Sequence, residues 1–451
     1  MTKKFFGTDG IRGKTGSFPI TPDFFVKIGF AAGLVLTKHH NKKTNPTVVI
    51  GKDTRISGYM FESALESGFA AAGVDVYLTG PLPTPAIAYI TQMLNADIGV
   101  SITASHNPFD DNGIKLFSKS GSKLSEKIER EIENLAEESL KIQPANKLGK
   151  ARRLDDARDK YIQFCLSTFP KILTLKGLKI VLDCAHGATY RIAPAVFSEL
   201  GADISVINDS PDGLNINQDA GSIHPALLQK AVLEKNADVG IAFDGDGDRL
   251  IMVDGDGNLV DGDQVLYLIL KLYQQQKIMS GGVVGTLMTN LAFEEKCREL
   301  DIPFLRADVG DKYVAEALRN NKWMLGGENS GHIVLLDKHS TGDGIISALQ
   351  LLVFLVLNEV SLNNALKELP MYPQELINIP HNQQLDLDSK QISLLIEEAN
   401  QMMGMKGRIL IRPSGTQPII RVMTEGPDSQ MVSKSAQYLA ENIEGLNLTE
   451  K

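Results

Sequence analysis

Pro225-Ala-Leu-Leu-Gln-Lys-Ala-Val-Leu-Glu-Lys-Asn-Ala-Asp-Val-Gly-Ile-Ala-Phe-Asp-Gly-Asp-Gly-Asp-Arg249 reads as a helix, a strand and a charged loop in direct succession. Pro225–Asn236 is the helix. Val239–Phe243 is short and apolar, the pattern of a buried strand, and it runs straight into Asp244. Three carboxylates then fall within five residues, with glycines between them. A polar, glycine-rich run at the carboxyl end of a buried strand is where open parallel sheets bind ligands.

Outward from that stretch the same grammar repeats. Upstream, Lys179–Asp183 is a strand, Arg191–Leu200 a helix ended by Gly201, and Ile204–Ile207 a strand. Further upstream, Thr47–Gly51 is a strand. A helix follows with Ser57 as its expected N-cap, Phe61, Leu65 and Phe69 four apart, and Gly73 as its stop. Val74–Leu78 returns as a strand, and Ile98 to Ser105 alternates with period two. Downstream come strand Val283–Thr286, a helix through Cys297, strand Phe304–Ala307, a helix from Lys312 to Asn320, and strand Met324–Gly327. Such alternation predicts an α/β fold of three similar domains with mixed or parallel sheets, covered on both faces. From about Met371 the pattern changes to a smaller α+β domain: a helix near Ser389–Met403, strands Arg408–Arg412 and Ile419–Thr424, and a final helix. The seams are Lys147–Asp159, Asp254–Asp263 and Pro370–Pro373, which gives expected domains 1–152, 153–256, 257–369 and 370–451 around a central cleft.

The bulk numbers fit this division. The 451 residues exceed what one core serves, and 43% apolar with 22% charged is ordinary for a globular chain. A net charge of −9 excludes a general nucleic-acid binder but not a small anionic substrate. Cys165, Cys184 and Cys297 are scattered, without metal spacing. The N-terminal run has no apolar signal core, so a cytoplasmic location is expected. The longest apolar run, Ile345–Leu357, is too short to span a membrane and reads as a buried helix.

Four runs can carry chemistry. Asp244, Asp246 and Asp248 repel one another unless a cation neutralises them, and hard oxygens suit Mg²⁺ or Ca²⁺. The calcium-loop count fails: position six is Arg249 and position twelve Gly255, where an EF-hand needs Gly and Glu. The neighbouring Asp254-Gly-Asp-Gly reads as a solvated acidic turn. Thr103-Ala-Ser105-His106-Asn107-Pro108 places a serine at a strand end, exposed as a nucleophile must be, although Asn107-Pro108 is also a plain turn signal. Ser105 and His106 are neighbours whose side chains diverge, which argues against a hydrolase triad. Beside a metal loop, however, a phosphorylated serine is a coherent phosphoryl-transfer site. Gly326-Gly-Glu328-Asn329-Ser330-Gly-His332 suits hydroxyl recognition on a sugar. Arg412-Pro-Ser414-Gly415-Thr416-Gln417-Pro418, closed by Arg421, combines guanidinium forks with free backbone N–H groups and suits a phosphate. Lys115, in Asn112-Gly-Ile-Lys-Leu, and Arg12, in Phe6-Gly-Thr-Asp-Gly-Ile-Arg-Gly13, are surface charges or site cations.

Together these runs resemble the α-D-phosphohexomutase superfamily over the whole chain, one run per predicted domain. The resemblance implies that Ser105 is the residue phosphorylated in the active enzyme, and that Asp244, Asp246 and Asp248 hold Mg²⁺ together with its phosphate. It implies sugar contacts from Glu328, Ser330 and His332, with Asn329 as a reader of an amino group, and a phosphate loop of Arg412, Ser414, Gly415, Thr416 and Arg421. His106, Lys115, Arg249 and Arg12 sit where the family has active-site cations and proton-transfer groups. Glu-Asn-Ser-Gly-His and the opening Phe-Gly-Thr-Asp-Gly-Ile-Arg-Gly resemble the glucosamine branch. That branch implies exchange of glucosamine 6-phosphate and glucosamine 1-phosphate through a sugar bisphosphate, supplying UDP-N-acetylglucosamine and cell-wall precursors. Gln417 departs from the family's usual acid and puts any role of that acid in doubt. Competing readings are a mutase of mannose or glucose phosphates, a Mg²⁺-dependent phosphatase, and a sugar-phosphate-binding or calcium-binding module. A homodimer stays open, as does the source of the first phosphate: a bisphosphate, a kinase or autophosphorylation.

Overall fold

A computed structural model describes residues 4–7, 9–39, 44–380, 386–387, 389–413 and 419–449. The chain forms two compact units, Met1–Thr286 with Ala307–Leu366, and Leu287–Arg306 with Lys367–Lys451.

The first unit holds three sheets built on one plan. In the first, strands run in the order Ile11–Lys14, Asp111–Ser118, Ile98–Ile102, Thr47–Lys52, Asp75–Pro81, Ala151–Arg153. Thr47–Lys52 pairs parallel with Asp75–Pro81 and with Ile98–Ile102, whereas Asp111–Ser118 returns antiparallel against Ile98–Ile102. The second sheet runs Leu259–Val260, Leu250–Asp254, Val239–Phe243, Lys179–Asp183, Asp203–Ile207. Again the inner pairs are parallel and Leu250–Asp254 returns antiparallel on Val239–Phe243. In the third, Val283–Thr286 lies parallel to Leu325–Gly327, and Ile333–Leu335 returns antiparallel. The expected mixed-sheet α/β architecture is therefore present, and its antiparallel members have one origin. Each parallel run ends in a strand whose polar loop turns the chain straight back. The serine run, the aspartate run and the sugar-type run are those three loops.

Apolar helix faces cover the parallel strands. In the first sheet's core Phe25 and Phe61 stack with ring centroids 4.2 Å apart, beside buried Leu65, Phe69, Val48 and Ile50. Two local expectations change. Ser57 is the first residue of helix Ser57–Ala71 and not its cap; the cap position is Ile56, and the Ser57 hydroxyl accepts from Asn112 Nδ2 at 2.7 Å. Asp254 is buried, not solvated, because its carboxylate accepts the backbone N–H groups of Asp256 and Asn258 at 3.0 and 2.8 Å and so closes its own turn. Helix Gly344–Asn358 is buried over most of its length, and no single helix among the described residues is long and apolar enough to cross a membrane.

The second unit contains helix Leu291–Glu299 and an antiparallel sheet with Ile419–Glu425 between Gln374–Pro380 and Arg408–Pro413. Helices Lys390–Met402 and Ser429–Thr449 complete it, and Ile379, Ile392, Ala399, Ile420, Val422, Leu439 and Ile443 form its core. Ser389 caps the first of these helices.

Candidate active site

Ser105 follows strand Ile98–Ile102 by three residues. The turn is closed by Asn107 N–H donating to the Ala104 carbonyl at 3.1 Å. Ser105 has φ 52°, in the left-handed region that non-glycine residues seldom occupy. Its N–H donates to Thr103 Oγ1 at 2.8 Å. It is 1% exposed, and its hydroxyl donates to Asp244 Oδ2 at 2.6 Å. His106 Nδ1 lies 3.4 Å from the same hydroxyl, so in this turn the two neighbouring side chains converge and do not diverge as an extended chain would have them. The turn therefore does not leave the serine in open solvent; it aims the serine at the aspartate loop.

Asp244, Asp246 and Asp248 are all buried, and one ligand oxygen from each lies within 4.8 Å of the others. The loop folds on itself: Gly247 N–H donates to the Asp244 carbonyl at 3.1 Å, and Arg249 N–H donates to Asp244 Oδ1 at 3.2 Å. Thr84 Oγ1 donates to Asp246 Oδ2 at 2.6 Å, and Lys115 Nζ donates to Asp246 Oδ2 and Asp248 Oδ2 at 2.8 and 2.6 Å. Asp246 Oδ1 and Asp248 Oδ1 remain buried with no hydrogen-bond partner. Burial, then repulsion from Asp246 and Asp248, holds the Asp244 carboxyl well above the usual range. Burial acts on Asp248 in the same sense, but Lys115 and His332 outweigh it and pull that carboxyl well below. Even with Lys115, Arg249 and His332 beside it, the cluster keeps two buried acceptors without a hydrogen bond and one carboxyl pushed towards its proton. A divalent cation with oxygen preference fits it.

Around the loop, opposite charges alternate in a closed ring. Lys115 reaches Asp248; Asp248 Oδ1 lies 3.6 Å from His332 Nδ1; His332 Nε2 lies 3.7 Å from Asp311 Oδ2. Asp311 pairs with Lys123 at 2.5 Å, Lys123 pairs with Asp9, and Asp9 returns to Lys115 at 3.3 Å. Arg12 also pairs with Asp9. Burial acts to lower His332, but Asp248 and Asp311 outweigh it and hold this imidazole above its ordinary value. His106 is opposite in character: burial, then Arg249 and Arg12, pushes it down to about 4. Burial would lower the Arg249 guanidinium, yet Asp248 and Asp244 hold it above its ordinary value.

The sugar-type loop meets the aspartate hairpin through backbone. Leu250 N–H donates to the Gly331 carbonyl at 3.1 Å. A Cβ at Gly331 would sit 1.8 Å from the Leu250 carbonyl oxygen, so only glycine fits. Glu328 is buried and its Oε1 accepts Gly310 N–H at 2.9 Å; Asn329 is half-buried and Ser330 exposed. In the second unit, Arg412 and Arg421 face each other across the antiparallel pair and therefore share one face of the sheet. Among the described residues Arg421 Nε is buried without a hydrogen-bond partner. Ser414, Gly415, Thr416 and Gln417 lie outside the described residues.

The structure thus gathers Ser105, His106, Lys115, Arg249, Arg12, the three aspartates and His332 in one unit, and pairs Arg412 with Arg421 in the other. Sequence reasoning missed Asp9, Thr84, Lys123 and Asp311. Asp9 lay inside the quoted N-terminal run, but nothing local to the others marks them; only the fold brings them to the loop.

The four domains described as Phosphoglucomutase/phosphomannomutase alpha/beta/alpha domains I, II and III and C-terminal domain match residues 3–143, 159–257, 261–372 and 366–442. A phosphoglucosamine mutase of Methylobacillus flagellatus is 56% identical, covering 98% of either chain. One of Nitrosospira multiformis is 54% identical over 98% of this chain and 96% of its own. Among solved structures, a phosphoglucomutase/phosphomannomutase family protein from Burkholderia thailandensis superposes with a TM-score of 0.80 at 23% identity, over 98% of this chain and 97% of that one. An Aspergillus fumigatus N-acetylphosphoglucosamine mutase, solved with GlcNAc-6P and magnesium, gives 0.71 at 16% identity, over 99% and 96%.

Proposed function

The chain belongs to the phosphoglucomutase/phosphomannomutase family, and from that premise we propose that it is an isomerase exchanging glucosamine 6-phosphate and glucosamine 1-phosphate. The observation that carries the chemistry is the Ser105 hydroxyl held 2.6 Å from Asp244 in a buried, cation-deficient cluster. The amino sugar rests on the relatives at 56% and 54% identity.

In this reading Ser105 carries a phosphoryl group. The free hydroxyl of glucosamine 6-phosphate attacks that phosphorus and gives its proton to a base in the site, while the bond to Ser105 Oγ breaks and that oxygen takes up a proton from the site. Glucosamine 1,6-bisphosphate forms, turns, and returns its other phosphate to Ser105. Asp244, Asp246 and Asp248 would hold Mg²⁺, which supplies charge neutralisation on the transferring group. Lys115 and Arg249 add fixed positive charge, and Lys115 stays protonated because Asp246 and Asp248 overcome its burial. Glu328, Asn329, Ser330 and His332 bind the sugar. Arg412, Ser414, Gly415, Thr416 and Arg421 cradle whichever phosphate is not reacting. The proposed division into domains 1–152, 153–256, 257–369 and 370–451 gives each of these loops its own domain. Cys165, Cys184 and Cys297 are free and buried, which supports the reducing cytoplasm as the location.

Ser105→Ala tests the reading. The variant should lose mutase turnover and all labelling of the protein by a phosphoryl donor. Turnover at the wild-type rate would overturn it, and a wild-type preference for mannose or glucose phosphates in kcat/KM would overturn the sugar assignment.

A further inference from the structure

Two side chains outside every run singled out above converge on the reacting serine's backbone. Arg55 is fully buried, pairs with Asp53, and its Nη2 donates to the carbonyls of Ser105 and Asn107 at 3.2 and 2.5 Å. Asn217 Nδ2 donates to the same two carbonyls, at 2.9 Å each. An amide NH₂ and a guanidinium NH₂ each offer two hydrogens, and a carbonyl accepts at two lone pairs, so the four groups form a closed set. Arg55 comes from the loop after strand Thr47–Lys52 of the first sheet. Asn217 comes from the loop between strand Asp203–Ile207 and helix Ala226–Lys235 of the second. Asn217 is itself left-handed at φ 58°, anchored by its N–H donating to the Ala185 carbonyl at 2.9 Å.

We propose that Arg55 and Asn217 are positioning residues for phosphoryl transfer: a two-sided clamp that holds Ser105 in its left-handed conformation and registers it against the aspartate loop. This rests on Ser105 being the phosphoryl carrier. With its N–H on Thr103 and its carbonyl doubly held, Ser105 keeps only its side-chain torsion free. Gly245 gives the clamp its second surface, because a Cβ there would lie 2.7 Å from both the Ser105 carbonyl oxygen and Asn217 Nδ2. Both clamp residues bond the backbone of the serine turn and neither belongs to the sugar-type loop, so they are expected to set how phosphorus meets its acceptor and to leave sugar affinity alone.

Asn217→Asp keeps the shape and loses both donors; Asn217→Ala loses them without placing a carboxylate beside two carbonyls. Arg55→Lys keeps the charge and loses the fork. All three are assayed with glucosamine 6-phosphate and bisphosphate, beside wild type and Ser105→Ala. The clamp predicts that kcat falls about 100-fold in the Asn217 variants, the order expected for a displaced reacting group, with KM unchanged. Single-turnover transfer from phosphorylated protein should slow by the same factor, while the fraction of protein that accepts label stays at the wild-type value. Wild-type kcat in both Asn217 variants overturns the clamp, as does a loss of kcat matched by an equal loss of labelled, folded protein. If wild type itself shows no isomerisation, the carrier reading fails instead, and the two failures are told apart in one assay.

Discussion

The aspartate hairpin and the serine hairpin do the same topological job with opposite means. Both leave a sheet at the end of a parallel strand and return antiparallel, with Phe243 opposite Leu250 in one and Ile102 opposite Ile114 in the other. The aspartate loop is short and largely self-closing: its own N–H groups from Gly247 and Arg249 satisfy Asp244. The serine turn is longer, and its strained residue is fixed by Thr103, Arg55 and Asn217, the last of them 112 positions away in sequence. A loop rich in like charge states its chemistry locally, because only a cation makes it tolerable. A serine in a turn has no such signature, and its function is borrowed from partners that the fold supplies.

The largest break in that comparison comes at Asp244, which accepts the serine's own hydroxyl. Asp244→Asn can turn its single amide oxygen to the Ser105 hydroxyl or to the Arg249 N–H but not to both, and it removes one of the cluster's three carboxylates. Turnover should fall about 100- to 1000-fold, as for other groups acting on transition-state charge, and Mg²⁺ binding by calorimetry should weaken. Stability should move the other way. The folded carboxyl is raised, so at neutral pH its ionisation works against folding, and an amide removes that cost. The metal-free variant should therefore melt above metal-free wild type. A variant that loses activity and also melts lower would mean that the acceptor lost to the Arg249 N–H or the Ser105 hydroxyl outweighs the charge strain relieved.

The same contrast sets how much was legible. The strand-loop order of all three sheets follows from apolar runs and glycine punctuation, and the aspartates from their spacing. The antiparallel return strands were less visible, because Lys115 and its neighbours look like any short alternating run. Asp311 and Lys123 join the ring only through tertiary packing, being 188 positions apart, a separation no periodicity reports. Ser57 failed as a cap for a related reason: its hydroxyl is claimed by Asn112, from the return strand of the serine hairpin. Long-range partners overrode a sound local rule.

A smaller effect is expected where the two hairpins touch. Gly245 has an ordinary backbone conformation, so its requirement is space and not φ. Gly245→Ala drives a methyl against the Ser105 carbonyl and Asn217, with nothing flexible on the carbonyl side. Activity should drop roughly 10- to 100-fold, the range for a displacement below 1 Å, while the aspartates keep their geometry and Mg²⁺ affinity stays close to wild type. Loss of metal binding in step with activity would show instead that the hairpins are not separately built.

The smallest effect belongs to the third hairpin and is read through pH. His339 follows return strand Ile333–Leu335, donates its N–H to the Leu335 carbonyl at 2.8 Å, and accepts Thr341 N–H on Nδ1 at 3.2 Å. It is 3% exposed, and burial pushes its imidazole down from 6.5 to about 4. Between those values the unfolded chain takes a proton that the folded chain refuses. Stability is therefore complete above pH 6.5 and lost as pH falls towards 4. Asp343, pushed up to about 6 by burial, works with the opposite slope, since its neutral form favours folding at low pH. Comparing wild type with His339→Asn cancels Asp343 and every other shared group. In urea titrations, wild type should lose roughly 2 kcal/mol more than the variant between pH 7 and pH 4.5, from about 1.4 kcal/mol per pH unit. Parallel pH profiles would mean that His339 is hydrated in the folded protein. The third hairpin would then lack the dry backing that its buried return strand implies.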